Sequence, residues 1–385
     1  MASITHFDIA APDEQTEPMP SPARLAVKVG TRASALALTQ TGMIADQLAA
    51  AGGLAVELVR ITTEGDRLTG SLVALGGTGV FVTALRDALL DGRCDVAVHS
   101  LKDLPTGVAN GLVIAAVPER EDPRDALCAR DRLTLAELPR GAKVGTGSPR
   151  RAAQLRATRP DLVVVDIRGN VDTRLRRVAP GDLDAVVLAT AGLSRLGRLD
   201  AATDLLDPAI MSPAPGQGAL AVEARAADVA DAGSPLALAL AAVDHAPTRL
   251  AVTAERALLA RLEAGCAAPV GAHARILDGA LALDAVVCRP DGTAQLRRTL
   301  TVPLPPDVSD PARAGDRAAA DTSTGATSAP DLSDPARPGD RAAADTSTRA
   351  RLAVAERLGA DLADLLLADG AAELAELGPR QGIVR

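Results

Sequence analysis

Two proline-rich crossings, Pro118-Glu119-Arg120-Glu121-Asp122-Pro123-Arg124-Asp125 and Ser212-Pro213-Ala214-Pro215-Gly216-Gln217-Gly218, bracket a run of alternating strands and helices. Closely spaced prolines stop helices and interior strands, so each crossing reads as a hinge between units. Ahead of the first, the pattern reads strand 25–29, helix to about 51, strand 54–60, helix 80–91 and strands 95–98 and 112–117. Between the two it reads strand 142–146, a helix from Arg150, strand 162–166, helix 171–178, strand 184–189 and helix 191–196. Such alternation implies mostly parallel sheets. A chain that crosses out, builds a second unit and crosses back makes two α/β lobes with a cleft between them.

The expected domains are 25–119 with 219–244 for the first lobe, 120–218 for the second, and 245–385 for a small α+β third domain. In the third, a helix spans 248–264, strands lie near 281–288 and 295–302, and helices follow at 349–368 and 371–377. Residues 1–24 read as a disordered tail: the first 23 lack any Lys or Arg, unlike the basic start of a secretory signal. A polar unit beginning at Asp307 returns almost unchanged at Asp331. One duplicated polar unit cannot bury a core, so 303–348 reads as a disordered insertion.

The net charge of −8 and an aromatic content of 1 %, without Trp or Tyr, count against nucleic-acid binding by a basic surface or by base stacking. The four cysteines, Cys94, Cys128, Cys266 and Cys288, form no CxxC pair, and the histidines lack ligand-like spacing. We expect no metal site, no disulfide framework, reduced thiols and a cytoplasmic location. No apolar run approaches the roughly 18 residues of a spanning helix.

Ligands of open α/β sheets bind at the carboxyl ends of the strands. Strand 95–98 delivers His99, Ser100, Lys102 and Asp103 to such an end. The turn Gly30-Thr31-Arg32-Ala33-Ser34 opens a helix and reads both as a small anion cradle and as an ordinary N-cap. Eight arginines fall between 150 and 177, against Asp161, Asp166 and Asp172. Arg150, Arg151 and Arg168 follow strand ends, where cations do not support a helix start and a carboxylate or phosphate would be gripped bidentately. Arg156, Arg159, Arg176 and Arg177 read as solvated helix faces. The glycine-rich stretch 62–78 is long enough for a lid, and Cys266 follows a helix end in a loop.

Gly30-Thr-Arg-Ala-Ser34, His99-Ser-Leu-Lys-Asp103, Glu119-Arg-Glu-Asp-Pro-Arg-Asp125, Gly145-Thr-Gly-Ser-Pro-Arg-Arg151, Arg168-Gly-Asn-Val-Asp-Thr-Arg174, Pro215-Gly-Gln-Gly218, Ala254-Glu-Arg256 and Leu262-Glu-Ala-Gly-Cys266 together resemble the hydroxymethylbilane synthase (porphobilinogen deaminase) family, in order from about residue 25 to 300. The resemblance implies a transferase of tetrapyrrole and haem biosynthesis, with two lobes like type II periplasmic binding proteins and a third domain. It implies a dipyrromethane cofactor held by a thioether at Cys266, on which four porphobilinogen molecules are condensed with loss of ammonia before the linear tetrapyrrole is hydrolysed off. Asp103 would be the catalytic carboxylate, stabilising the azafulvene cation left when ammonia departs. Ser34, Lys102, Thr146, Ser148, Arg150 and Arg151 would hold the cofactor. Arg32, Arg168, Arg174 and Arg195 would bind substrate carboxylates, with a weaker carry-over for Gln40 and Gln217. Thr78 and Ala74 depart from the lysines that many relatives carry in the 62–80 loop. The implied partner is porphobilinogen, without nucleic acid or membrane, in a monomer.

The rival from another class is a solute-binding protein of the same two-lobed shape, which would need export and would have no use for Cys266 or a third domain. A nucleic-acid regulator built on the arginine cluster would need to overcome the acidic net charge.

Overall fold

The computed structural model describes residues 26–61, 79–265, 268–306, 338–375 and 377. The first group comprises β1 (Ala26–Thr31), α1 (Ala35–Gly52), β2 (Ala55–Arg60), α2 (Gly79–Leu90), β3 (Val96–Ser100) and β4 (Leu112–Ala116). The second runs through β5 (Asp125–Ala129), β6 (Lys143–Gly145), α3 (Pro149–Thr158), β7 (Val163–Val165), α4 (Val171–Leu175), β8 (Ala185–Ala189), α5 (Thr190–Arg195) and β9 (Asp204–Leu206). β10 (Leu220–Arg225), α6 (Pro235–Val243), α7 (Ala246–Arg261), β11 (Val270–Leu277), β12 (Ala280–Cys288), β13 (Gln295–Pro303) and α8 (Pro338–Ala368) complete the main elements.

Two five-stranded sheets share one plan, β2-β1-β3-β10-β4 and β7-β6-β8-β5-β9. In each, a single strand runs against its neighbours: β10 is antiparallel to β3 and β4, and β5 to β8 and β9. The sheets are thus mostly parallel, and the reversed strand in each is the one laid down directly after a crossing. Sequence periodicity misses β5 and β9 because both are short and β5 begins on the charged end of the first crossing. The third sheet is an antiparallel meander, β11-β12-β13. Its first strand is also missed by pattern, since Gly271, His273 and Arg275 interrupt the apolar run.

With almost no aromatic residues, the cores are aliphatic: Val27, Val29, Ile44, Leu48, Val96 and Val222 in the first lobe, and Leu127, Val144, Leu155 and Val187 in the second. The third core packs Leu250, Leu258 and Leu283 against Leu358, Leu362 and Leu366 of α8. Here the structure corrects the expected insertion over 303–348. Residue Pro303 closes β13, and α8 starts at Pro338, ahead of the anticipated helix at 349. The helix buries Ala355 and Leu358 on its core side, and its first turns run back through Ala342, Ala343 and Ala344 to Pro338, which is suited to a helix start. Residues 307–337 and the tail at 1–25 lie outside the described residues.

The two crossings run side by side, with Arg120 Nε donating to the Gln217 carbonyl at 2.8 Å and Glu121 N to the Gly218 carbonyl at 3.3 Å. Gly218 has φ +88°, and a Cβ there would stand 2.3 Å from the Glu121 carbonyl oxygen, so this close approach requires glycine. Glu255 of α7 clasps both crossings. Its buried carboxylate accepts from Arg120 at 2.7 and 3.1 Å, from Gly216 N at 2.6 Å and from Ala274 N of β11 at 2.8 Å. Replacing Glu255 with alanine strips a largely buried guanidinium of its counter-ion and leaves the Gly216 and Ala274 N–H groups without this acceptor. We expect a loss of roughly 3–5 kcal/mol, seen as an earlier midpoint in urea unfolding; an unchanged midpoint would remove the clasp from the account.

Candidate active site

β3 ends at Ser100 and the chain turns at once into a 3-10 turn, Leu101–Asp103. The turn is tied to the returning crossing by Leu101 N donating to the Ala219 carbonyl at 3.0 Å. From the third domain, Arg256 donates to the carbonyls of Leu104 at 3.0 Å and Pro105 at 2.8 Å, so the Lys102-Asp103 turn is held from behind. Lys102 and Asp103 are half-buried. His99 departs from the expected strand-end group. It lies buried with Nε2 3.3 Å from Glu223 Oε2, and Glu223 also receives Arg86, which makes His99 part of a core network.

Across the cleft, β6 runs into the turn before α3. Thr146 is buried and its Oγ1 accepts from Ser148 N at 3.2 Å, while Ser148 caps α3 by accepting from Arg151 N at 3.4 Å. A Cβ on Gly147 would meet the Ile167 carbonyl oxygen at 2.5 Å, so the turn can pack this closely only with glycine. Ser34 likewise caps α1, accepting from Ala37 N at 3.3 Å, which realises the N-cap reading of that turn. Arg32 beside it is half-buried.

The arginine pair differs from the open pair that the strand ends imply. Arg150 and Arg151 are buried, and both converge on Asp125, the first residue of β5, with ion pairs of 2.7 Å each. Arg151 also donates from Nη1 to the Val187 carbonyl at 3.1 Å. The two guanidiniums hold the Asp125 carboxyl far below the usual carboxylate range in spite of its burial. Gln217, fully buried, donates from Nε2 to Asp125 Oδ1 at 2.9 Å and accepts from Lys102 Nζ at 3.1 Å. Burial above all, and then the repulsion of Arg151, bring the Lys102 ammonium down to about 8, with Asp103 and Asp125 opposing and Arg150 adding to the fall. Gln40 is buried too and bonds Ser100 Oγ at 3.2 Å.

Arg174 is half-buried and joins the same field, its pKa lowered by burial and then by Arg151 and Arg168, with Asp166 opposing. It donates to the Gly169 carbonyl at 2.8 Å, while Arg168 is exposed. Arg195 stands slightly apart, donating to the Gly218 carbonyl of the returning crossing at 2.6 Å. Five cations, Lys102, Arg150, Arg151, Arg168 and Arg174, therefore share a field with three carboxylates, Asp103, Asp125 and Asp166. The surplus is positive in a chain whose net charge is −8, and it suits a ligand carrying several carboxylates.

Asp125, buried beneath this surplus, went unread in the sequence because it looked like one more hinge charge. Its only signal was position, as the last acid before an apolar strand. The solvated-face reading fails for Arg159, which binds the Leu135, Ala136 and Leu138 carbonyls and Asp161, and for Arg156, which reaches the Pro290 carbonyl at 2.9 Å. Cys266, with the 62–78 stretch that includes Ala74 and Thr78, lies outside the described residues. Cys94, Cys128 and Cys288 are buried, and burial pushes their thiols up to about 11, 12 and 11, away from a reactive range.

The family model described as "Porphobilinogen deaminase, dipyromethane cofactor binding domain" matches residues 27–232, more than half of the chain, and the C-terminal domain model of the same family matches 249–322. The chain belongs to the porphobilinogen deaminase family. It is 66% identical over 271 residues to a porphobilinogen deaminase of Leifsonia xyli, covering 70% of this chain and 82% of that one. It is 55% identical over 368 residues to the porphobilinogen deaminase of Cutibacterium acnes, covering 91% and 97%. Among solved structures it is similar to the methionine binding protein MetQ at 16% identity, with a TM-score of 0.35 over 57% of this chain and 89% of that chain. It is similar also to a periplasmic substrate-binding protein from Coxiella burnetii at 19% identity, with a TM-score of 0.37 over 56% and 91%. No helix among the described residues is long and apolar enough to cross a membrane.

Proposed function

We propose that this chain is a hydroxymethylbilane synthase: it joins four porphobilinogen molecules head to tail on a covalently held dipyrromethane, losing ammonia at each addition, and releases the linear tetrapyrrole by hydrolysis. The observation that carries the reading is the cationic surplus facing the Lys102-Asp103 turn. Each pyrrole unit bears an acetate and a propionate, so a growing chain is a polyanion. Lys102, Arg150, Arg151, Arg168 and Arg174 supply that surplus. These residues fit the cofactor that the family binds.

When bound, the dipyrromethane supplies the pyrrole carbon that is joined to incoming substrate. Cys266 is the proposed attachment point. Ser34, Lys102, Thr146, Ser148, Arg150 and Arg151 orient the carboxylates and rings of the held chain, and Arg32, Arg168, Arg174 and Arg195 grip the incoming substrate. Asp103 would face the pyrrole cation that forms as ammonia leaves porphobilinogen; its carboxylate would hold that charge and relay the protons of the step, one to the departing amine and one released from the pyrrole carbon as its C–H bond gives way to the new C–C bond. The domain limits given above, a monomeric state and a cytoplasmic location without nucleic-acid or membrane partners complete the proposal.

The test is intact mass spectrometry of the purified protein before and after adding porphobilinogen. We expect a starting mass above the sequence value by one dipyrromethane unit and then a ladder of pyrrole additions. A single mass that porphobilinogen leaves unchanged would overturn the reading in favour of a binding protein. A pH dependence also follows. Because the Lys102 ammonium is lost as pH rises through about 8, the rate at which cofactor-free protein acquires its dipyrromethane from porphobilinogen should fall across that point. Lys102→Arg, charged throughout, should flatten the fall.

A further inference from the structure

Lys102 belongs to the first lobe, the Arg150 and Arg151 pair to the second, and Gln217 to the crossing between them, yet all four meet around one carboxylate. Asp125 is wholly buried and takes Arg150 at 2.7 Å, Arg151 at 2.7 and 2.9 Å, and Gln217 Nε2 at 2.9 Å. The same Nε2 donates to the Pro123 carbonyl at 2.7 Å. With acceptors on its nitrogen side, the Gln217 amide can turn only its oxygen toward Lys102, and it does so at 3.1 Å. The spacing of three cations from two lobes is thus set by one acid that is sealed from solvent and cannot itself touch a ligand.

We propose that Asp125 is a positioning residue for the reaction: its carboxylate fixes the Arg150 and Arg151 guanidiniums and, by orienting the Gln217 amide, holds the Lys102 ammonium at a set distance from them across the two lobes. The proposal rests on the functional reading above for what these cations grip, but not for the arrangement itself. Like-charged groups brought together without a counter-ion repel one another, and Asp125 supplies the only carboxylate among the described residues that ion-pairs with either arginine. Without it the cations would spread apart, and carboxylates of the substrate would meet a looser, less complementary set.

The charged groups facing Lys102 are Asp103 on its own turn, Arg150 and Arg151 on α3, and Asp125 on β5. Removing Asp125 therefore removes one of two attractions and leaves both repulsions, with Asp103 alone opposing them. The chain contains three lysines, Lys28, Lys102 and Lys143, so lysine labelled with 13C at Cε gives a spectrum simple enough to follow Lys102, assigned with Lys102→Arg. We expect the Lys102 titration midpoint in the full-length protein to drop in Asp125→Asn, and the KM for porphobilinogen to rise about tenfold or more, with a smaller change in kcat. A merely structural role would reduce the amount of active protein and so lower Vmax, leaving KM and the Lys102 midpoint where they were; that result overturns the proposal. Should Asp125→Asn fail to fold, Gln217→Leu keeps the pairs of Asp125 with both arginines and removes the amide that joins Asp125 and the Pro123 carbonyl to Lys102. A Lys102 midpoint unmoved by Gln217→Leu overturns the proposal equally. The titration needs no turnover, so a wild type that ignores porphobilinogen would sink the functional reading and still leave this arrangement decided by NMR.

Discussion

Asp103→Ala is expected to lower the rate of porphobilinogen consumption by about three orders of magnitude, while the protein stays folded and keeps its added mass. The magnitude follows from one charge. A carboxylate about 4 Å from a cation in an environment of effective dielectric near 20 is worth roughly 4 kcal/mol, or about three decades in rate. The fold should survive because the turn is held by main chain: Leu101 N to Ala219, Leu104 N to Leu101, and Arg256 to the Leu104 and Pro105 carbonyls. None of these bonds uses the Asp103 side chain. Asp103→Asn, which keeps the shape and removes the charge, should lose nearly as much. Steady-state rates and intact masses of both variants check the claim, and a rate within tenfold of wild type would take Asp103 out of its assigned role.

Cys266→Ala should emerge at its bare sequence mass, without the dipyrromethane increment, and with no measurable turnover. A thioether needs the sulfur, and the other three cysteines are poor substitutes: Cys94, Cys128 and Cys288 are buried, with thiols pushed up to about 11, 12 and 11. At neutral pH they offer almost no thiolate. The variant should unfold at the same denaturant concentration as cofactor-free wild type. An unmodified wild type with full activity, or an active Cys266→Ala, would refute the attachment.

Much of the architecture was legible in the chain because βα alternation and paired prolines are local signals. The two lobes, the crossings, the Lys102-Asp103 strand end and the cap at Ser34 all follow from residues near one another in sequence. What stayed hidden is non-local. The antiparallel β5 and β10 receive their direction from the path of the chain, and short strands such as β9 owe their existence to neighbours. The sequence puts the arginines at strand ends, but nothing local says that Arg150 and Arg151 are buried on Asp125, 26 residues from Arg151 in the chain. Arg159 looked solvated for the same reason, since the carbonyls it caps lie in the 135–138 loop.

The amino-acid order by itself determined the supply of charges: an acidic, nearly aromatic-free chain with its arginines gathered after strand ends and one lysine and aspartate ahead of a proline. Only the tertiary structure decided which of those charges cancel. Coulomb energies depend on separation and burial, neither of which sequence spacing contains. Folding spends Glu255 and Arg120 on the hinge and sinks Asp125 beneath two guanidiniums, and it leaves a surplus of positive charge facing Asp103 across the cleft.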